Sequence, residues 1–129
     1  THREKALAAA EQKAANRLTE AERKAAVKRA AQMLAEKTAH FAKKMGVTYG
    51  RITIREQKTR WGSCSSAGNL NYNWKLVLMP ERVMDYVVIH ELAHRKEMNH
   101  SARFYAVVAQ QMPDYKVWQS WLKEHGREY

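Results

Sequence analysis

Tyr86-Val87-Val88-Ile89-His90-Glu91-Leu92-Ala93-His94 decides how this chain is read. Val83, Val87, Ile89 and Leu92 are apolar on more than one side of a helix, which is the pattern of a buried helix rather than a surface one. His90 and His94 stand four apart, so they project from the same face and can hold one metal ion together. Glu91 lies beside the first of them, within reach of a water near such an ion. A buried helix carrying two imidazoles and a carboxylate needs polar or metallic partners for them. Pro80 suits the first position of this helix, where its missing N–H is no loss, and the helical pattern runs from Glu81 to about Lys96.

Two imidazoles are too few for a catalytic zinc site, which usually has three protein ligands and one open position. His100 is the expected third ligand and Glu97 the runner-up. On a continuous helix His100 would lie about 15 Å beyond His90 and off the metal face. The helix must therefore end soon after His94. Met98-Asn99-His100-Ser101 is the expected turn, with Asn99 suited to a left-handed conformation and Ser101 to capping the next helix. In that helix Phe104, Val107, Val108 and Met112 should face inward; Pro113 then starts a last one carrying Tyr115, Trp118, Trp121 and Leu122, which Gly126 closes. With a metal in place, Glu91 is the general base. The oxyanion donor is left open among Arg60, Asn71, Asn73 and Tyr105. His2, His40 and His125 read as structural or exposed.

Upstream, residues 1–45 are strong helix formers without Pro or Gly. Thr19 and Glu22 have the spacing of a capping box, so a fresh helix is expected there, with Val27, Ala31, Leu34, Thr38, Phe41 and Met45 on its buried face. Gly46 should stop it. Residues 1–18 carry little to bury and are expected to project or fray. Arg51–Arg55 alternates as a half-buried strand does, and Trp61–Cys64 with Ser65-Ser66-Ala67-Gly68 has the form of a strand entering a hairpin. Leu70, Tyr72, Trp74, Leu76 and Leu78 share one parity opposite Asn69, Asn71 and Asn73, predicting a strand over 69–78. The fold class is thus α+β: a long N-terminal helix, a small and mainly antiparallel sheet, the His-bearing helix and C-terminal helices.

With 129 residues and 45% apolar content the chain suits one domain, 1–129. No apolar run approaches the roughly 18 residues of a membrane span. The single Cys64 reads as structural and favours a reducing compartment, the cytoplasm. A net charge of +10 invites a polyanion, but glutamates are interleaved with the cations of the N-terminal helix, so nucleic acid is not the favoured partner.

Taken in order, Thr59-Arg60-Trp61-Gly62-Ser63-Cys64-Ser65, the Asn-rich strand to Met79-Pro80, Asp85 to His94, Asn99-His100-Ser101, Phe104, Pro113-Asp114-Tyr115 and Trp121-Leu122 resemble the YgjP-like metal-dependent hydrolases. That family is zincin-like and related in its core to SprT-like and Wss-type proteases. The resemblance implies three histidine ligands and a glutamate base, carried onto His90, His94, His100 and Glu91. It also implies a β-rich segment before the long helix, which is not read in this sequence, so a fragment is the expectation. The His94–His100 spacing equals that of metzincins, but Glu97 stands where they place glycine.

The first functional expectation is a zinc-dependent metallopeptidase with one Zn²⁺, other divalent ions being able to substitute, and with a peptide paired to the edge of the 69–78 strand. The alternatives are a hydrolase of small amides or nucleotide phosphoanhydrides and a nucleic-acid-associated metalloprotease.

Overall fold

The structure, a computed structural model, describes residues 3–4 and 18–129. The expected projection of residues 1–18 falls almost wholly outside the described residues.

Helix α1 spans Glu20–Met45 and starts where the capping box places it. The Thr19 side chain accepts from Glu22 N at 3.1 Å, and Glu22 Oε1 accepts from Thr19 N at 3.2 Å. Gly46 ends it at φ 68°, a left-handed conformation that glycine adopts without a Cβ penalty. The buried face is Ala26, Ala30, Leu34, Thr38, Ala42 and Met45. Leu34, Thr38 and Met45 match the expected stripe, whereas Val27, Ala31 and Phe41 are only half-buried. Small alanines, rather than the larger side chains beside them, let α1 lie close to the segment 74–78 and to the helix Glu81–Ala93.

Three short strands follow: β1 (Ile52–Arg55), β2 (Gly62–Cys64) and β3 (Leu70–Asn73). Their order is β1-β3-β2. β2 and β3 form the expected antiparallel hairpin, but β1 runs parallel to β3, so the sheet is mixed. Its inner face sets Leu70 and Tyr72 into the core, and Tyr72 Oη lies 3.0 Å from Thr38 Oγ1, joining sheet to helix inside the core.

The strand predicted over 69–78 stops at Asn73. The Asn73 side chain accepts from Lys75 N at 3.0 Å and turns the chain into a 3-10 helix, Trp74–Leu78. A short polar side chain bonding its own backbone two residues on competes directly with a strand ladder. Trp74 and Leu76 are still buried, so the alternating pattern was a true record of burial and a misleading one of geometry.

Helix α2 (Glu81–Ala93) runs through the centre of the fold and packs on α1, β2, α3 (Ala102–Gln111) and α4 (Tyr115–His125). Its apolar residues on several sides are buried accordingly. On its α1 side, Lys37 Nζ bonds Asp85 Oδ1 at 2.6 Å and Glu81 Oε1 at 2.8 Å, which fixes the helices in register. Ser101 caps α3 by accepting from Phe104 N, as expected, and Phe104, Val108 and Met112 are fully enclosed.

The Thr38–Tyr72 contact yields a test of this packing. Thr38→Val leaves the Tyr72 hydroxyl buried without a partner, which costs about 1–3 kcal/mol. Adding Tyr72→Phe should recover most of that loss, because an apolar pair of the same shape is nearly neutral. Urea denaturation of the two single variants and the double variant measures it.

Candidate metal centre and pocket

His90 and His94 sit on the last turn of α2, and the helix ends at His94 itself. Arg95 N, Lys96 N and Glu97 N close the final turn onto Leu92 O and Ala93 O, after which the chain reverses toward Ser101. Asn99 makes this reversal without a left-handed conformation, since no described non-glycine residue has positive φ. His100 is thereby carried back over the helix end. Its Nε2 lies 3.2 Å from His90 Nε2 and 3.1 Å from His94 Nε2.

These separations suit a shared cation. Two ligands about 2.0–2.1 Å from a tetrahedral ion stand about 3.3 Å apart. His94 Nδ1 is 3.3 Å from Glu97 O, and a carbonyl only accepts, so Nδ1 carries the proton and His94 Nε2 presents a lone pair. His90 Nδ1 lies 3.4 Å from Tyr86 Oη, a contact that fixes the direction of its ring and leaves Nε2 facing the other two histidines. The His94 lone pair and His90 Nε2 then converge on a third imidazole, which has at most one N–H to offer on that side. A cation satisfies all three. Among the described residues this is the cluster of His, Cys, Asp and Glu able to hold a metal, and the Glu97 carboxylate is outside it.

Phe104 supports the three rings from below, with centroid distances of 4.9 Å to His90, 4.6 Å to His94 and 4.9 Å to His100. Arg95, directly after His94, bonds Thr48 O at 2.9 Å and Ser66 O at 3.2 Å, and its guanidinium lies against Gly68. The end of α2 is thus fastened to the β2–β3 turn. At Gly68, φ 90° calls for glycine, and a Cβ there would also push the Arg95 guanidinium aside.

Glu91 is only 6% exposed and faces β2. A Cβ on Gly62 would come within 3.0 Å of Glu91 Cγ and Oε2, so glycine lets the strand and the carboxylate meet. Burial pushes the Glu91 pKa up to about 7, opposed by the positive charge of Arg60. Burial, together with the charges of His94 and His100, pulls His90 down to about 4, which favours the neutral imidazole that a metal requires. Tyr86 is pushed up to about 12, chiefly by burial, and remains a neutral hydroxyl.

A pocket of about 250 Å³ opens beside Glu91 and His90, walled by Trp61, Gly62, Val87 and Leu122 and bordered by Thr59, Arg60 and Tyr86. Of the four polar candidates read from sequence, Arg60 borders this pocket and Tyr105 lies beside His100, with ring centroids 6.3 Å apart. Asn71 is engaged on the sheet by Arg55 and Ser63, and Asn73 is buried and bonded to Gln57 O, Arg60 O and Lys75 N. Tyr86, Phe104, Arg95 and Gly62 were not singled out for the site from sequence. Only for Tyr86 was there a signal, since it precedes His90 by one helical turn.

The strand expected to offer a free edge, β3, is the central one. The outer strand beside Glu91 is β2. Asn73 N bonds Trp61 O and Ser65 N bonds Asn69 O, so the backbone groups of Gly62 and Cys64 point away from β3.

The YgjP-like metallopeptidase domain model matches residues 1–125. No curated protein matches the chain. Among solved structures, the metallopeptidase zymogen of Pyrococcus abyssi abylysin aligns with a TM-score of 0.64 and 24% identity, over 73% of this chain and 96% of that one. The metallopeptidase zymogen of Methanocaldococcus jannaschii jannalysin aligns with a TM-score of 0.62 and 18% identity, over 70% and 94%. These likenesses establish the α+β zincin-like fold.

Gly62→Ala tests the contact between strand and carboxylate. The added methyl must displace Glu91, and overpacking of this kind costs about 1–3 kcal/mol. Thermal unfolding should register that loss, and hydrolysis of any substrate that depends on Glu91 should fall more steeply than the stability change alone explains.

Proposed function

The chain belongs to the YgjP-like metallopeptidase family, and we propose that it hydrolyses peptide bonds with one zinc ion held by His90, His94 and His100 and with Glu91 as general base. The observation that carries this reading is the convergence of the three Nε2 atoms at the end of α2, with the Glu91 carboxylate buried beside them. Three nitrogen donors suit zinc, while other divalent ions could load the same set.

When bound, the ion supplies Lewis acidity toward the scissile carbonyl and lowers the pKa of water. Glu91 takes the proton from that water at a carboxylate oxygen and delivers it to the departing amine nitrogen. The Glu97 carbonyl holds the His94 ring in the tautomer that leaves Nε2 free, and the Tyr86 hydroxyl beside Nδ1 orients the His90 ring. The outward backbone groups of Gly62 and Cys64 are placed to pair with an extended peptide, which the pocket beside Glu91 would anchor by a side chain. Arg60 and Tyr105 are the polar side chains we carry forward as contacts to substrate.

The single cysteine fits a reducing compartment, and no helix among the described residues is long and apolar enough to cross a membrane. We place the protein in the cytoplasm.

Elemental analysis of protein purified without added metal should find about one zinc per chain in the wild type and a large loss in His100→Ala. Unchanged zinc in that variant removes His100 from the ligand set. Glu91→Gln should keep its zinc and lose peptidase activity by roughly 10²–10⁴-fold, the usual range for removing a general base. Activity near the wild-type level in Glu91→Gln would exclude it as the base.

A further inference from the structure

We infer that Arg60 determines specificity by binding a substrate carboxylate at the border of the pocket beside Glu91, so that the enzyme selects peptides with an acidic group next to the scissile bond. The inference rests on the peptidase reading above and names the substrate class that the reading leaves open.

Apart from Tyr86, His90 and Glu91, which face the histidine cluster, the pocket has two chemically distinct parts. Trp61, Val87 and Leu122 form an apolar wall, and Thr59 and Arg60 supply a hydroxyl and a guanidinium at its border. At about 250 Å³ the space admits one side chain with a short hydrocarbon stem. The wall is braced from outside, because Gly126 packs so closely on Trp61 that a Cβ there would lie 3.0 Å from the indole Nε1. An apolar wall ending in a cation suits an occupant with an aliphatic body and an anionic end.

Arg60 is also the one guanidinium among the residues lining the pocket, and it is left without an internal partner among the described residues. Arg55 is bonded to Asn71, Arg95 to Thr48 O and Ser66 O, and Arg23 to Glu56. The one acid between residues 47 and 73, Glu56, is held by Arg23 and the Trp74 indole N–H. Arg60 is exposed, and its side chain has no ion pair among the described residues, Glu91 included. A planar, always-charged fork of this kind matches a carboxylate with two parallel hydrogen bonds. A substrate lysine at the same place would be repelled.

The carboxylate could belong to a glutamate side chain or to the free C-terminus of a short peptide, and the test separates these sources. Otherwise identical quenched fluorescent peptides carry Glu, Gln or Lys beside the scissile bond, each with a free or amidated C-terminus. They are assayed with zinc-loaded wild type, Arg60→Gln and Arg60→Glu. In parallel, calorimetry measures their binding to zinc-loaded Glu91→Gln, with and without Arg60→Gln.

The expected result is a preference of about ten-fold in kcat/KM for the carboxylate peptide, carried mainly by KM. It should vanish in Arg60→Gln and reverse toward Lys in Arg60→Glu. If the C-terminus is the source, amidation removes the preference and exchanging Glu for Gln does not. Equal cleavage of all peptides by the wild type overturns the inference and leaves the peptidase reading standing, as does a preference that survives in Arg60→Gln. Absence of cleavage with binding that still discriminates through Arg60 has the opposite meaning: the carboxylate site stands and the peptidase reading falls. With neither cleavage nor discriminating binding, the inference is overturned.

Discussion

The end of helix α2 at His94 is the constraint on which the rest of the site depends. Were the helix to continue, His100 would be carried about 15 Å along the axis, and two imidazoles would be left facing an open flank. Three features keep the helix short. The last turn tightens as Glu97 N and Lys96 N share the Ala93 carbonyl, the Arg95 side chain leaves the helix to bond Thr48 O and Ser66 O, and Ser101 restarts the chain as the cap of α3. The arginine beside His94 therefore helps to bring the three histidines together, although it touches none of their ring nitrogens. It exchanges helix continuation for a tie to the sheet.

The same turn that brings His100 back also brings Phe104, and one buried ring then packs against all three imidazoles. This arrangement limits how each ring can rotate before any ion arrives, so little conformational freedom remains to be lost on binding. Electrostatics act in the same sense. Burial disfavours protonation of His90 and His94, and the neutral forms are those that ligate. On the other side of α2 the Lys37 ammonium is bound to Asp85 and Glu81. Charge on this helix is thus matched by the element facing it, except around Glu91, where a buried carboxylate meets a glycine.

Much of this was legible from residues. Thr19 with Glu22, Gly46, the Ser65–Gly68 turn and Ser101 each act through bonds to near neighbours in sequence, so local chemistry determined them. His90, His94 and Glu91 were legible because a helix fixes their mutual geometry, and His100 because only a reversal could bring it within reach. What could not be read depends on distant contacts. The parallel pairing of β1 with β3 is decided by where α1 returns the chain, which alternation within a strand does not record. Asn73 looked like one more amide on a polar face, yet it ends the strand because its side chain reaches Lys75 N before a neighbouring strand can. The contact of Gly62 with Glu91 joins residues far apart in the chain, and a glycine in sequence gives no hint of what it makes room for.

The exchange of roles between β3 and β2 has a functional consequence. A central strand has no free backbone groups to offer, so a peptide beside the metal centre must use β2, whose described strand is only three residues long. So short an edge presents the outward groups of Gly62 and Cys64 and little more, and a few main-chain hydrogen bonds worth about 0.5–1.5 kcal/mol each are a weak basis for affinity. Binding must therefore draw on side-chain contacts, and the pocket contiguous with this edge, between Trp61, Leu122 and Arg60, is the nearest place to make them. On the proposed peptidase reading, a short edge and a small chemically divided pocket favour recognition through what flanks the scissile bond over an extended backbone register.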